Sequence, residues 1–86
     1  MPYNARIMDE EQPLNIIGPN VRKYRLRKGW SQQLLSNKLE LIPIYICRGS
    51  MSRLEEQIRT VTDFEIAGLA ETLGVSIQDL FETATE

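Results

Sequence analysis

The segment RGSMSRLEE, Arg48 to Glu56, places two guanidinium groups around the apolar pair Met51 and Leu54. A guanidinium is a permanently charged fork of N–H donors, suited to carboxylates, phosphates and other acceptor edges. If the segment is helical, Cys47, Met51, Leu54 and Ile58 fall at i, i+4, i+7 and i+11 and form an inward stripe. Arg48, Gly49, Ser52, Arg53 and Glu56 then lie on the opposite side. The spacing predicts a helix over Arg48 to Gln57 that buries one face and turns its cations toward a polyanion. The plainer reading of both arginines is a pair of solvated surface cations.

Other chemistry finds little support. The chain has 86 residues, no histidine and one cysteine, Cys47. No nucleophile–base pairing stands out, a zinc site would need more ligands than the chain offers, an intrachain disulfide is impossible, and no Gly-rich phosphate loop is present. The expectation is a non-enzyme with no cofactor, and the lone thiol suits a reducing cytoplasm. Cys47 is expected as a small buried residue. No segment reaches the ~18 consecutive apolar residues of a membrane span, and the first residues do not read as a secretory signal.

The net charge of −2 hides an asymmetry. Residues 17–60 carry nine Lys/Arg against three acids, whereas residues 61–86 carry six acids and no base. A basic middle beside an acidic end suggests one face for a polyanion and another turned away from it.

The elements that must position the arginines can be read in order. Residues 1–15 are polar, contain Pro2 and Pro13 and show no period, so they read as a flexible tail. An arm reaching a groove through Arg6 is the rarer alternative. Residues 16–86 read as one domain. A first helix is expected from about Ile17 to Lys28, with Ile17, Val21 and Tyr24 inward and Gly29 as its stop. Ser31 reads as the N-cap of a second helix from Gln32 to about Glu40, with Leu35 and Leu39 inward, Leu34 beside them and Trp30 as a staple. LIPIYI, Leu41 to Ile46, contains Pro43 and reads as an extended connector with Ile44 and Ile46 tucked in. TDFE at Thr62 is a capping box for a fourth helix lined by Ile66, Leu69, Ala70 and Leu73. Ser76 opens a fifth, with Ile77, Leu80, Phe81 and Ala84 inward. No strand pair is evident, so the fold class is all-α.

From Ile17 to Phe81 the chain resembles the helix-turn-helix domain of lambda Cro/C1-repressor-type regulators, the xenobiotic-response-element family. VRKYRLRKGWSQQLL resembles that family's first helix, glycine and Ser/Thr-Gln opening of the second. MSRLE resembles its Ile-Ser-Arg-Ile-Glu recognition-helix signature. VTDFEIAGLAETLGVSIQDLF resembles its last two helices. The resemblance implies a compact five-helix lambda-repressor-like domain with an extended turn in the helix-turn-helix. It implies sequence-specific binding of double-stranded DNA by a small bacterial or phage transcriptional regulator, as a homodimer on an inverted repeat.

By the family's pattern, Arg48, Gly49, Ser52 and Arg53 would face base edges, where an arginine can bridge guanine O6 and N7. Gln32, Ser50, Lys38 and Arg59 would reach phosphates. Arg25 and Glu55 match positions that form a structural ion pair. The chain departs from the pattern in its long connector, in Gly49 where Ser or Thr is usual, and in EQI, Glu56 to Ile58, where Asn-Gly-Lys is usual. These departures, with the acidic C-terminal third, support an alternative: the same fold used as a protein-interaction module. No small-molecule ligand is expected.

Overall fold

Hydroxyl side chains start three of the helices. Ser31 Oγ accepts from the Leu34 N–H at 3.0 Å. Thr62 and Glu65 exchange bonds of 3.1 and 3.0 Å, and Ser76 and Asp79 exchange bonds of 3.0 Å each way, so both are closed capping boxes. The helices they open are α2 (Gln32–Leu39), α4 (Asp63–Leu73) and α5 (Ile77–Phe81), joined by α1 (Gly18–Arg27) and α3 (Arg48–Glu55). Gly29 and Gly74, at φ +75° and +74°, sit in the left-handed conformation that ends α1 and α4. The structure is a computed structural model that describes residues 12–83. Residues 1–11, with Arg6, and Ala84 lie outside the described residues.

The apolar stripes meet in one core. Ile17 and Val21 from α1, Leu35 and Leu39 from α2, Met51 and Leu54 from α3, Leu69 and Leu73 from α4 and Leu80 from α5 are all buried. Burying each such side chain stabilises the fold by about 1.5–3 kcal/mol before entropy is counted. α3 packs on α1 and α2, α4 on α2, and α5 on α1 and α4. Among the described residues there are no strands, and no helix is long and apolar enough to cross a membrane.

Five inward assignments do not hold, and the first is Cys47, exposed at the N-cap of α3. Ile58 is 54% exposed because α3 ends at Glu55 and the chain turns before reaching it. Leu34 is exposed because it lies beside the buried pair Leu35 and Leu39 of α2, and Ile77 and Phe81 because the five-residue α5 buries only Leu80. The connector behaves as its alternation suggests. After a turn, Ile42 and Ile44 are half-buried and Ile46 fully so, while Leu41, Pro43 and Tyr45 point outward.

The end of α3 is closed by the segment before α1, so the expected tail does not extend through residue 15. Asn15 Nδ2 donates to the carbonyls of Leu54 and Arg59 at 3.0 and 2.8 Å, and its Oδ1 accepts from the Gly18 N–H at 2.8 Å. Leu14 N donates to Gln57 O, and Gln57 Nε2 donates to Asn15 O, both at 2.9 Å. This clasp holds Gln57 at φ +66°, a conformation that costs a residue with a Cβ about 1–2 kcal/mol. It replaces the stop that a glycine would otherwise provide.

The start of α1 approaches the end of α3 so closely that a Cβ on Gly18 would collide with the Leu54 carbonyl oxygen and lie 3.0 Å from that of Glu55. Both obstacles are backbone and cannot rotate away. Gly18→Ala is therefore expected to destabilise the domain by about 2–3 kcal/mol. Thermal unfolding followed by circular dichroism should show a midpoint lower by roughly 10–20 °C, and an unchanged midpoint contradicts the packing of α1 on α3.

Candidate nucleic-acid interface

α3 divides into a buried and an open side. Met51, Leu54 and Glu55 are buried; Arg48, Gly49 and Arg53 are exposed, and Ser50 and Ser52 are half-buried. Neither Arg48 nor Arg53 pairs with an acid among the described residues, where the ion pairs are Arg25–Glu55 and Arg59–Glu65. Arg53 Nη2 donates to Ser50 Oγ at 3.2 Å, a local bond along one helix face. At Gly49 a Cβ would meet only the Arg53 guanidinium, at 3.8 Å, so a side chain there has open space around it.

The expected ion pair is formed in full. Arg25 Nε and Nη2 donate to Glu55 Oε2 and Oε1 at 2.7 and 2.8 Å, and Arg25 Nη1 donates to Trp30 O at 2.8 Å. The two side chains are 8% and 2% exposed. The Glu55 carboxylate holds the Arg25 pKa above its ordinary value against the opposing effect of burial. Removing one partner of such a pair strands a buried charge, at a cost of about 3–5 kcal/mol.

The residues expected at phosphates are differently placed. Gln32 Nε2 donates to Glu55 Oε1 at 3.0 Å, so its side chain extends the ion pair and is half-buried. Arg59 forms a bidentate pair with Glu65 at 3.0 and 2.9 Å and also donates to Thr60 O at 3.0 Å. Its guanidinium therefore braces the loop before α4 rather than standing open. Lys38 Nζ lies 4.6 Å from the centre of the Trp30 ring, and Lys28 Nζ is 5.4 Å from it. Lys28 Nζ also comes within 3.6 Å of where a Cβ on Gly74 would be, a favourable place for a cation at the C-terminal end of α4.

Cys47 is exposed rather than buried. It is the N-cap of α3, with φ −71° and ψ 167°, and an extended cap residue points its side chain away from the core stripe that begins at Met51. The Ser50 N–H and hydroxyl, then the Gly49 N–H and the Arg53 guanidinium, lower its thiol pKa from the ordinary value.

Two structural contributions were missed in the sequence. Asn20 is buried and its Nδ2 donates to the carbonyls of Leu80 and Glu82 at 2.8 and 2.6 Å, tying the end of α5 to α1. Its position three residues after Ile17, on the inward face, was the available signal. The Asn15–Gln57 clasp had no local signal, because its partners lie some forty residues apart.

Two solved structures share this architecture. The restriction-modification controller protein C.AhdI from Aeromonas hydrophila is 28% identical, with 76% of this chain and 87% of that chain covered and a TM-score of 0.66. The hypothetical transcription factor NHTF from Neisseria is 27% identical, with 86% of this chain and 79% of that chain covered and a TM-score of 0.67. No protein-family model matches the chain, and no curated protein matches it.

The bidentate Arg59 bond, with the Thr62 N–H, lowers the Glu65 pKa against the opposing effect of burial. A carboxylate with a depressed folded-state pKa contributes stability that is present above its unfolded value, near ~4.3, and is lost as pH falls through the folded value. Glu65→Gln should show a shallower loss of unfolding free energy below about pH 4.3 than the parent chain. Urea titrations across that range check it, and identical slopes contradict the Arg59–Glu65 geometry.

Proposed function

From a chain with the Cro/C1-type helix-turn-helix fold, we propose a small prokaryotic or phage transcriptional regulator that binds double-stranded DNA sequence-specifically. α3 enters the major groove, where each base pair shows a distinct donor and acceptor pattern. The observation that carries this reading is the open side of α3. Among the described residues, Arg48 and Arg53 stand exposed and without acidic partners on a helix whose other side is buried. Water satisfies exposed guanidiniums at little cost, so their openness leaves both available to an acceptor edge or a phosphate. The names of the two similar structures, a restriction-modification controller and a transcription factor, support the regulatory role.

Arg48 and Arg53 are the base-reading donors, with Ser52 between them and Gly49 allowing close approach. Ser50, Lys38 and the N–H groups at the start of α2 around Gln32 serve phosphates. Arg59 stays with Glu65. The protein acts as a homodimer on an inverted repeat, whose half-sites would lie one helical turn apart. An apolar groove of about 430 Å³ beside the start of α1 suits the contact between copies; Leu14, Ile16, Val61 and Phe81 line it. A protein-interaction role without DNA is the second reading, favoured by Phe64, which stands 77% exposed on the acidic third of the chain.

Salt separates the two readings. Phosphate neutralisation makes log K fall linearly with log[salt], with several counterions released. The expected result is such a slope on a duplex recovered by binding-site selection, and no duplex binding at ~50 mM salt favours the protein partner. On the selected duplex, Arg53→Ala should lose about 1–3 kcal/mol of preference for the cognate base with an unchanged circular dichroism spectrum. Retained base preference removes Arg53 from the readout.

A further inference from the structure

The connector between α2 and α3 is longer than the 3–4 residues of an ordinary helix-turn-helix link, and nothing in the function assigned to α3 uses its outward side. Its inward side is fixed at three points. Ile44 N donates to Leu39 O at 2.8 Å. Ile46 is 2% exposed in the core. Ile44 packs on α4 at Gly68, where a Cβ would come 2.8 Å from its Cγ1. The alternation therefore presents Tyr45, 73% exposed, on a backbone that is already ordered.

Tyr45 stands two residues before Cys47, the N-cap of α3. Two residues of extended chain span ~7 Å. A helix N-terminus centred in a major groove ~12 Å wide has a wall of phosphates ~6 Å to either side. Along the chain, the stretch 41–54 between Glu40 and Glu55 contains no acid, and its charged side chains are Arg48 and Arg53. A phenol is a neutral donor with an apolar ring, of the kind that contacts the phosphate backbone beside a recognition helix.

We infer that Tyr45 is a further DNA contact, made by the connector, its hydroxyl donating to a phosphate beside the bases that α3 reads. The inserted connector thus sets the register of α3 in the groove, in place of the open cation that Arg59 would have supplied. This inference rests on the DNA reading of α3, and its test is built to fail separately from that reading.

The test compares the full chain with Tyr45→Phe, Tyr45→Ala and Arg53→Ala on the duplex recovered by selection, using fluorescence anisotropy. Loss of a hydrogen bond to an ionised oxygen should weaken Tyr45→Phe binding about tenfold. Because the hydroxyl carries no charge, the salt slope should not change. Because it touches no base, the ranking of base-substituted duplexes should not change either. Tyr45→Ala should weaken binding at least as much, with an unchanged thermal midpoint. If Tyr45→Phe binds as tightly as the parent while Arg53→Ala loses base preference, the Tyr45 contact is overturned and DNA binding stands. In that case Leu41 and Tyr45 remain a surface for another protein. If the parent binds no duplex, both readings fall together.

Discussion

The domain depends on one carboxylate. Glu55 sits at the end of α3 and accepts three bonds, two from Arg25 on α1 and one from Gln32 at the start of α2. Arg25 in turn holds the Trp30 carbonyl in the turn between α1 and α2. Three helices and one turn are thus indexed to a pair of side chains withdrawn from water. Ionic pairs in such places add little to stability compared with well-packed apolar residues. What this pair supplies is geometry, because a bidentate guanidinium–carboxylate contact tolerates little rotation or sliding. α3 is thus held at its C-terminal end by the ion pair and at its N-terminal end by the buried Ile46, which leaves the Arg48 side chain exposed.

The same end of α3 shows how a missing residue type is replaced. A glycine at position 57 would enter the left-handed region without steric cost. Gln57 enters it only because the backbone and side chain are bonded on both sides by Leu14 and Asn15. The strain is local and the compensation comes from a segment distant in sequence. The segment before α1 is consequently part of the apparatus that orients α3.

Much of this was legible from pattern. The caps at Ser31, Thr62 and Ser76, the stops at Gly29 and Gly74, and the stripes at 35/39, 51/54 and 69/73 all follow from local spacing, and local spacing decides where helices begin and which side they bury. The in-and-out alternation of residues 41–46 was readable for the same reason. What escaped depends on where helices end and on contacts between elements. Cys47 shares a period with Met51, but a cap residue leaves the helix and its side chain leaves the stripe. Ile58 shares that period too, but the helix ends first. Arg59 reads as a free cation until Glu65, on the next helix, is brought opposite it. The burial of Asn20 becomes intelligible only when the end of α5 supplies two carbonyls.

The proposed function requires the open side of α3 to meet duplex DNA. Its most direct test is a titration of the isotopically labelled chain with the duplex recovered by selection, followed by backbone amide chemical shifts. The account predicts saturable shifts concentrated from Cys47 to Arg53 and at the first turn of α2, with the amides of α4 beyond its first turn and of α5 little moved. Shifts confined to α4 and α5, or none that saturate, would contradict it.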